Sequence, residues 1–123
     1  MSGYKELKIY GKSYRAAKAA YEMTAGYPKE EKYGMAGQLR RAALSIPMNI
    51  AEGYAKRESQ EEFKRFLMMA IGSANEVLVL LDFSYDVGYI GKETHEKAVA
   101  EYEEIAKMLN TFIRSIKTRP SKI

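Results

Sequence analysis

The chain of 123 residues contains no cysteine, no tryptophan and a single histidine. Without cysteine there is no disulfide framework, no thiolate zinc site and no thiol nucleophile. With His95 alone, a histidine-rich catalytic or metal cluster within one chain is excluded. A carboxylate-bridged dimetal site requires a Glu-x-x-His on each of two helices. Here the residue three before the histidine is Lys92, and no cofactor or metal is expected. The glycines form neither Gly-x-x-x-x-Gly-Lys-Ser/Thr nor Gly-x-Gly-x-x-Gly, so no phosphate cradle is encoded. Acids pair at Glu61/Glu62, Asp82/Asp86 and Glu103/Glu104. Their polar flanks offer no pocket of the kind that separates the pKa values of an acid and a base. No apolar run has the length of a membrane span and no signal-peptide pattern precedes the fold. The expectation is a non-enzymatic, cytoplasmic protein with no membrane partner.

What is present is mildly basic. The net charge of +4 equals that of residues 114–123, where Arg114, Lys117, Arg119 and Lys122 have no acid among them. The remainder balances at 16 bases against 16 acids, unevenly spread: 11 against 6 over residues 1–58, and 2 against 5 over residues 59–90. Charge of this size permits contact with nucleic acid without establishing it.

Glycine and proline divide the chain into four segments of helical period and none of strand period. The breaks are Gly26-Tyr27-Pro28, the stretch from Gly53 to Glu58, Gly88-Tyr89-Ile90-Gly91 and Arg119-Pro120. Helices are expected near 6–25, 32–56, 60–87 and 92–117, with 1–118 as one domain and 119–123 as a basic tail. Ser59-Gln60-Glu61-Glu62 reads as a capping box opening the third helix. Short connections favour antiparallel neighbours, hence an all-α, up-down four-helix bundle.

The fourth helix has one apolar stripe, through Tyr102, Ile105, Leu109 and Phe112. The third has two. One runs Phe63, Leu67, Ala70, Ala74, Val77, Leu81; the other runs Met69, Ser73, Glu76, Leu80, Phe83. The first helix carries an Ile9/Ala16/Ala20/Met23 side and a Tyr10/Tyr14/Ala17/Tyr21 side. The second adds Leu44 and Met48 to its core stripe. A helix apolar on two sides needs two partners. The reading is a homo-oligomer whose interface includes Ala16, Ala20, Leu44, Met48, Met69, Ser73, Glu76, Leu80 and Phe83; the alternative is a monomer with scattered apolar surface residues.

Pro47 falls inside the second helix, where proline removes a hydrogen bond and kinks the axis. Ser45, Asn49 and Glu52 flank it and read as a polar network around the kink. The candidate nucleic-acid or partner-binding residues are Lys12, Arg15, Lys18, Arg40, Arg41, Lys56, Arg57 and Arg65. For any one of them, plain solvation is the competing reading. Repeated around an oligomer, weak patches become a belt that phosphates meet many times. The tyrosines could stack on bases, but most fall on stripes expected to face the core. His95, in a charged stretch, reads as a solvated surface residue.

Four stretches resemble a known family: Glu6-Leu7-Lys8-Ile9-Tyr10, Tyr27-Pro28-Lys29-Glu30-Glu31-Lys32-Tyr33-Gly34, Arg40-Arg41-Ala42-Ala43-Leu44-Ser45-Ile46-Pro47-Met48-Asn49-Ile50-Ala51-Glu52-Gly53 and Phe63-x-x-Phe66-Leu67-x-x-Ala70-x-Gly72-Ser73-x-x-Glu76. They are similar to the bacterial four-helix proteins encoded by intervening sequences of large-subunit rRNA genes. The accessory variability determinant (Avd) of diversity-generating retroelements shares that fold. The resemblance implies a ring-like homopentamer with a basic surface, associated with RNA in the intervening-sequence members. In the retroelement members it implies binding to a reverse transcriptase and nucleic acid. Arg40 and Arg41 match the family's paired arginines. A purely structural oligomer is the third reading.

Overall fold

The computed structural model describes residues 3–116; Lys117 and the basic tail at 119–123 lie outside the described residues. Four helices follow one another: α1 (Lys8–Thr24), α2 (Met35–Ala55), α3 (Gln60–Asp86) and α4 (Lys92–Ser115). There is no strand among the described residues. Each helix packs chiefly on its neighbours in sequence, and α1 and α4 share the smallest interface. Contacts run in opposite senses along every pair. Thr24 meets Arg40, Ser45 meets Ser73, and Asp82 meets His95. The bundle is therefore antiparallel and up-down.

The helix starts differ from the expected ones for local reasons. Tyr4–Glu6 is a separate 3-10 turn, because Leu7 is extended (φ −71°, ψ 126°) and breaks the run before α1. A second 3-10 turn, Lys29–Glu31, precedes α2. There the Glu31 carboxylate accepts from the Met35 amide at 2.9 Å and from the Tyr89 hydroxyl at 2.7 Å. The Met35 bond, then the Tyr89 bond, hold its pKa below the ordinary carboxylate value. Glu31 thus caps α2 and ties it to the α3–α4 connection.

The cap at Ser59 forms as expected, its hydroxyl accepting from the Glu62 amide at 3.2 Å. The reciprocal half of the box does not. The Ser59 amide is already bonded to the Lys56 carbonyl, and Glu62 instead turns forward to Arg65. Helix α3 ends in a Schellman turn: Tyr89 donates to the Ser84 carbonyl at 2.8 Å, Gly88 to that of Tyr85 at 3.0 Å, with Gly88 at φ +85°.

The core stripes of α2, α3 and α4 meet on the bundle axis, with Leu39, Ile46, Ile50, Leu67, Val77, Ile105 and Leu109 fully buried. Gly53 does not loosen α2 but lies inside it, buried against Phe63 and Phe66 of α3. By length and hydropathy α3 could cross a membrane, contrary to the reading that no run is long and apolar enough. It is instead the central helix, packed on both α2 and α4.

Tyr102 occupies the α1–α4 seam beside Ala16 and Ala20, and its buried hydroxyl has no hydrogen-bond partner among the described residues. Burial, reinforced by the Glu101 charge, pushes its phenol far above the ordinary 10.0. An unpaired buried hydroxyl is destabilising, so Tyr102→Phe should raise stability by about 1 kcal/mol. The sign of the pH effect follows. The unfolded chain ionises Tyr102 near 10.0 and the folded chain does not, so stability is intact below that pH and falls as pH rises above it. Urea titrations at alkaline pH should show a shallower loss in Tyr102→Phe. Part of the loss remains, because Tyr10 and Tyr27, through burial, and Tyr89, through its bond to Glu31, are also raised.

Candidate nucleic-acid and subunit interfaces

The eight candidate cations separate by what they touch. Arg40 serves its own fold. Its guanidinium donates to the Thr24 hydroxyl at 2.7 Å and the Tyr21 carbonyl at 3.1 Å, and lies 4.8 Å from the Tyr21 ring centroid. It satisfies the C-terminal end of α1, where a cation also suits the helix dipole. Arg40→Ala should lower stability by about 1–2 kcal/mol, read from the urea midpoint. Arg40→Lys should not restore it, because an ammonium cannot supply the same planar fork and stack.

Lys12 reaches Glu101 of α4 at 3.3 Å. Lys56 pairs with Glu52 at 3.3 Å. Arg57 donates to the Tyr54 carbonyl and stacks 4.0 Å over its ring. Arg65 makes two 3.1 Å bonds to Glu62 and lies over Phe66. Arg15, Lys18 and Arg41 are exposed and have no carboxylate partner among the described residues.

The polar network at Pro47 is real but smaller than expected. Ser45 donates to the Ala42 carbonyl at 2.7 Å, and Asn49 donates to the Ser45 carbonyl at 2.9 Å. The Ser45 and Ser73 hydroxyls are 2.6 Å apart, which fixes the register of α2 on α3. Glu52 is not a member; it points to Lys56 in solvent.

Two helices present an apolar outer face. On α2, Met48 is exposed, as is Leu44, which lies beside Tyr14 and Tyr21 of α1; on α3, Met68, Met69, Val79 and Phe83 are exposed, with Val87 just past its end. Phe83 is 53% and Met48 62% accessible. Leu80 and Ser73 are half-buried at the seam, and Glu76 is exposed within the face. Glu76, like Arg41, makes no ion pair among the described residues.

On α1 the expectation is reversed. Ala16 and Ala20 are buried in the chain's own core, beside Tyr102 of α4, so they are not available to a second subunit. The open side is the tyrosine side: Tyr14 and Tyr21 are exposed, Tyr4 and Tyr10 half-buried. His95 is also not a free surface residue. It is 2.8 Å from Asp82 and stacks on Tyr85 at 4.6 Å, clamping α4 to α3. Among the described residues no three His, Asp or Glu side chains converge as a metal site.

A family model described as "23S rRNA-intervening sequence protein" matches residues 5–111. A solved structure, that of a protein of unknown function from the S23 ribosomal protein family of Bacteroides thetaiotaomicron VPI-5482, is 26% identical. It superposes with a TM-score of 0.77 over 87% of this chain and 99% of its own. No curated protein matches the chain. The match to the family model spans all four helices and the motifs around Pro47 and Ser73, and the chain belongs to the 23S rRNA-intervening sequence protein family.

Proposed function

We propose that the protein is a non-enzymatic, cytoplasmic homo-oligomer that associates with RNA, assembled as a ring of five by resemblance to its relatives. The observation that carries this reading is the second apolar side of α3, where Met69 and Phe83 are exposed. An apolar side of this kind on a helix already buried on its other side calls for a partner. A second copy suits it chemically. Arg41 and Glu76 are both exposed and without ion-pair partners among the described residues, near the level of the Ser45–Ser73 contact, so one copy's arginine can meet the next copy's glutamate. Assembly then repeats Arg15 and Lys18 around an axis, where phosphates meet several copies at once.

Electrophoretic retention of a structured rRNA fragment tests the RNA part. Retention should weaken steeply with salt and fall further in Arg15→Glu/Lys18→Glu. Failure to retain the fragment at low salt would count against it. A second reading, docking of a reverse transcriptase as in Avd, draws on the same face, whose exposed methionines suit an adaptable protein contact.

A further inference from the structure

Near the start of α1 a cleft of about 480 Å³ is lined by Tyr4, Lys5, Tyr10, Gly11, Tyr14 and Arg15. Three tyrosine rings follow one another along it. Tyr4 meets Tyr10 edge-on at 4.8 Å, and Tyr10 lies 5.8 Å from Tyr14. Tyr14 is 46% accessible although Ala17, three residues on, is buried, so the chain exposes this ring rather than packing it. Gly11 carries no side chain into the cleft. The Arg15 guanidinium lies over that space, 3.1 Å from where a Cβ would stand. A glycine inside a helix is intrinsically costly relative to alanine, and here it leaves a shelf for a cation beside aromatic rings. No carboxylate and no aliphatic side chain lines the cleft. The tyrosine row continues along α1 into a second depression of different character, lined by Tyr14, Ala17, Lys18, Tyr21, Glu22 and Leu44.

From this we infer that the α1 cleft binds unpaired nucleotides, stacking bases on Tyr14 and Tyr10 while Lys5 and Arg15 hold the flanking phosphates. Rings alternating with free cations are what a single strand requires, since every base offers a flat face and every linkage a charge. A protein partner would find no aliphatic anchor here, in contrast to the α2–α3 face. A duplex keeps its bases stacked on one another and offers the rings nothing. The inference rests on the proposed RNA association and narrows it to single-stranded segments.

The test is fluorescence anisotropy with a short, unstructured, end-labelled RNA and with the blunt duplex of the same sequence. The unaltered protein should prefer the single strand. Tyr14→Ala should weaken single-strand binding about tenfold, at the level of one lost stacked base. Its duplex binding and salt slope should be unchanged, because a ring releases no counterions. Tyr14→Phe should bind as the unaltered protein does. Tyr4→Ala, outside α1, removes the ring that braces Tyr10 edge-on and should also weaken single-strand binding; it serves as a second variant should Tyr14→Ala lose helix content. Equal affinity for both RNAs, or a Tyr14→Ala and Tyr4→Ala pair that bind like the unaltered protein, would overturn the cleft and leave RNA association standing. Retention of neither RNA at low salt overturns both.

Discussion

Phe83→Glu should yield a folded protein with the mass of one chain. Phe83 is 53% accessible on the outer side of α3, so the substitution removes no core contact and circular dichroism should be unchanged. In the assembled protein the ring would be buried. Full burial of such a side chain contributes about 2 kcal/mol, and a carboxylate forced into the same apolar contact adds a desolvation cost. Each subunit contact should weaken by at least about a hundredfold. The charged pair on the face gives a sharper version. Arg41→Glu and Glu76→Arg should each reduce the assembled mass, and the double exchange should restore it, because it restores one charge of each sign across the contact. Light scattering of the four variants reads the result. A Phe83→Glu protein of undiminished mass would remove this face from the interface.

Gly53→Val should lower the stability of the fold by about 3 kcal/mol. A Cβ at Gly53 would stand 2.9 Å from the Phe66 Cβ and 3.2 Å from the Phe63 ring. It would also stand 3.3 Å from the Phe63 carbonyl oxygen, which belongs to α3's backbone and cannot swing aside. Phe63 is itself held, edge-on to Tyr54 of α2 at 6.3 Å and to Phe112 of α4 at 5.5 Å. Displacing it disturbs three helices together. Alanine would recover about 1 kcal/mol of helix propensity and lose less, so the order of stability should be Gly, Ala, Val. Urea midpoints at one fixed protein concentration test this, since the proposed assembly would make stability depend on concentration. A Gly53→Val midpoint equal to that of the unaltered protein would show that α2 and α3 are not in close contact there.

The periodicity that defines α3 and α4 was plain in the sequence, because hydrophobic side chains recur at fixed intervals along a single element. The Ser59 cap was plain for the same reason: donor and acceptor are three residues apart. What the sequence hid depends on elements far apart in the chain. Arg40 and Arg41 are adjacent and chemically identical. Only the placement of α1's last turn beside α2 sends Arg40 to Tyr21 and Thr24 and leaves Arg41 outside. The two sides of α1 are a similar case. Alanines and tyrosines are both apolar at helical spacing, and only the packing of α1 on the rest of the bundle buries Ala16 and Ala20 and exposes Tyr14 and Tyr21. Lys12 reads as a candidate phosphate contact and His95 as solvated, for want of any nearby sequence partner, yet each meets an acid across a helix seam. Glu31, the cap of α2, was missed because its amide partner opens the next helix while Tyr89 lies beyond α3.

The most direct test of the account is the mass of the unaltered protein in solution, by light scattering at a series of concentrations. The second apolar face of α3 calls for a partner and the family resemblance implies five copies, so the expected result is a single species with five times the 14.0 kDa of the chain, retained on dilution. A protein that remains at 14.0 kDa throughout the series would contradict it.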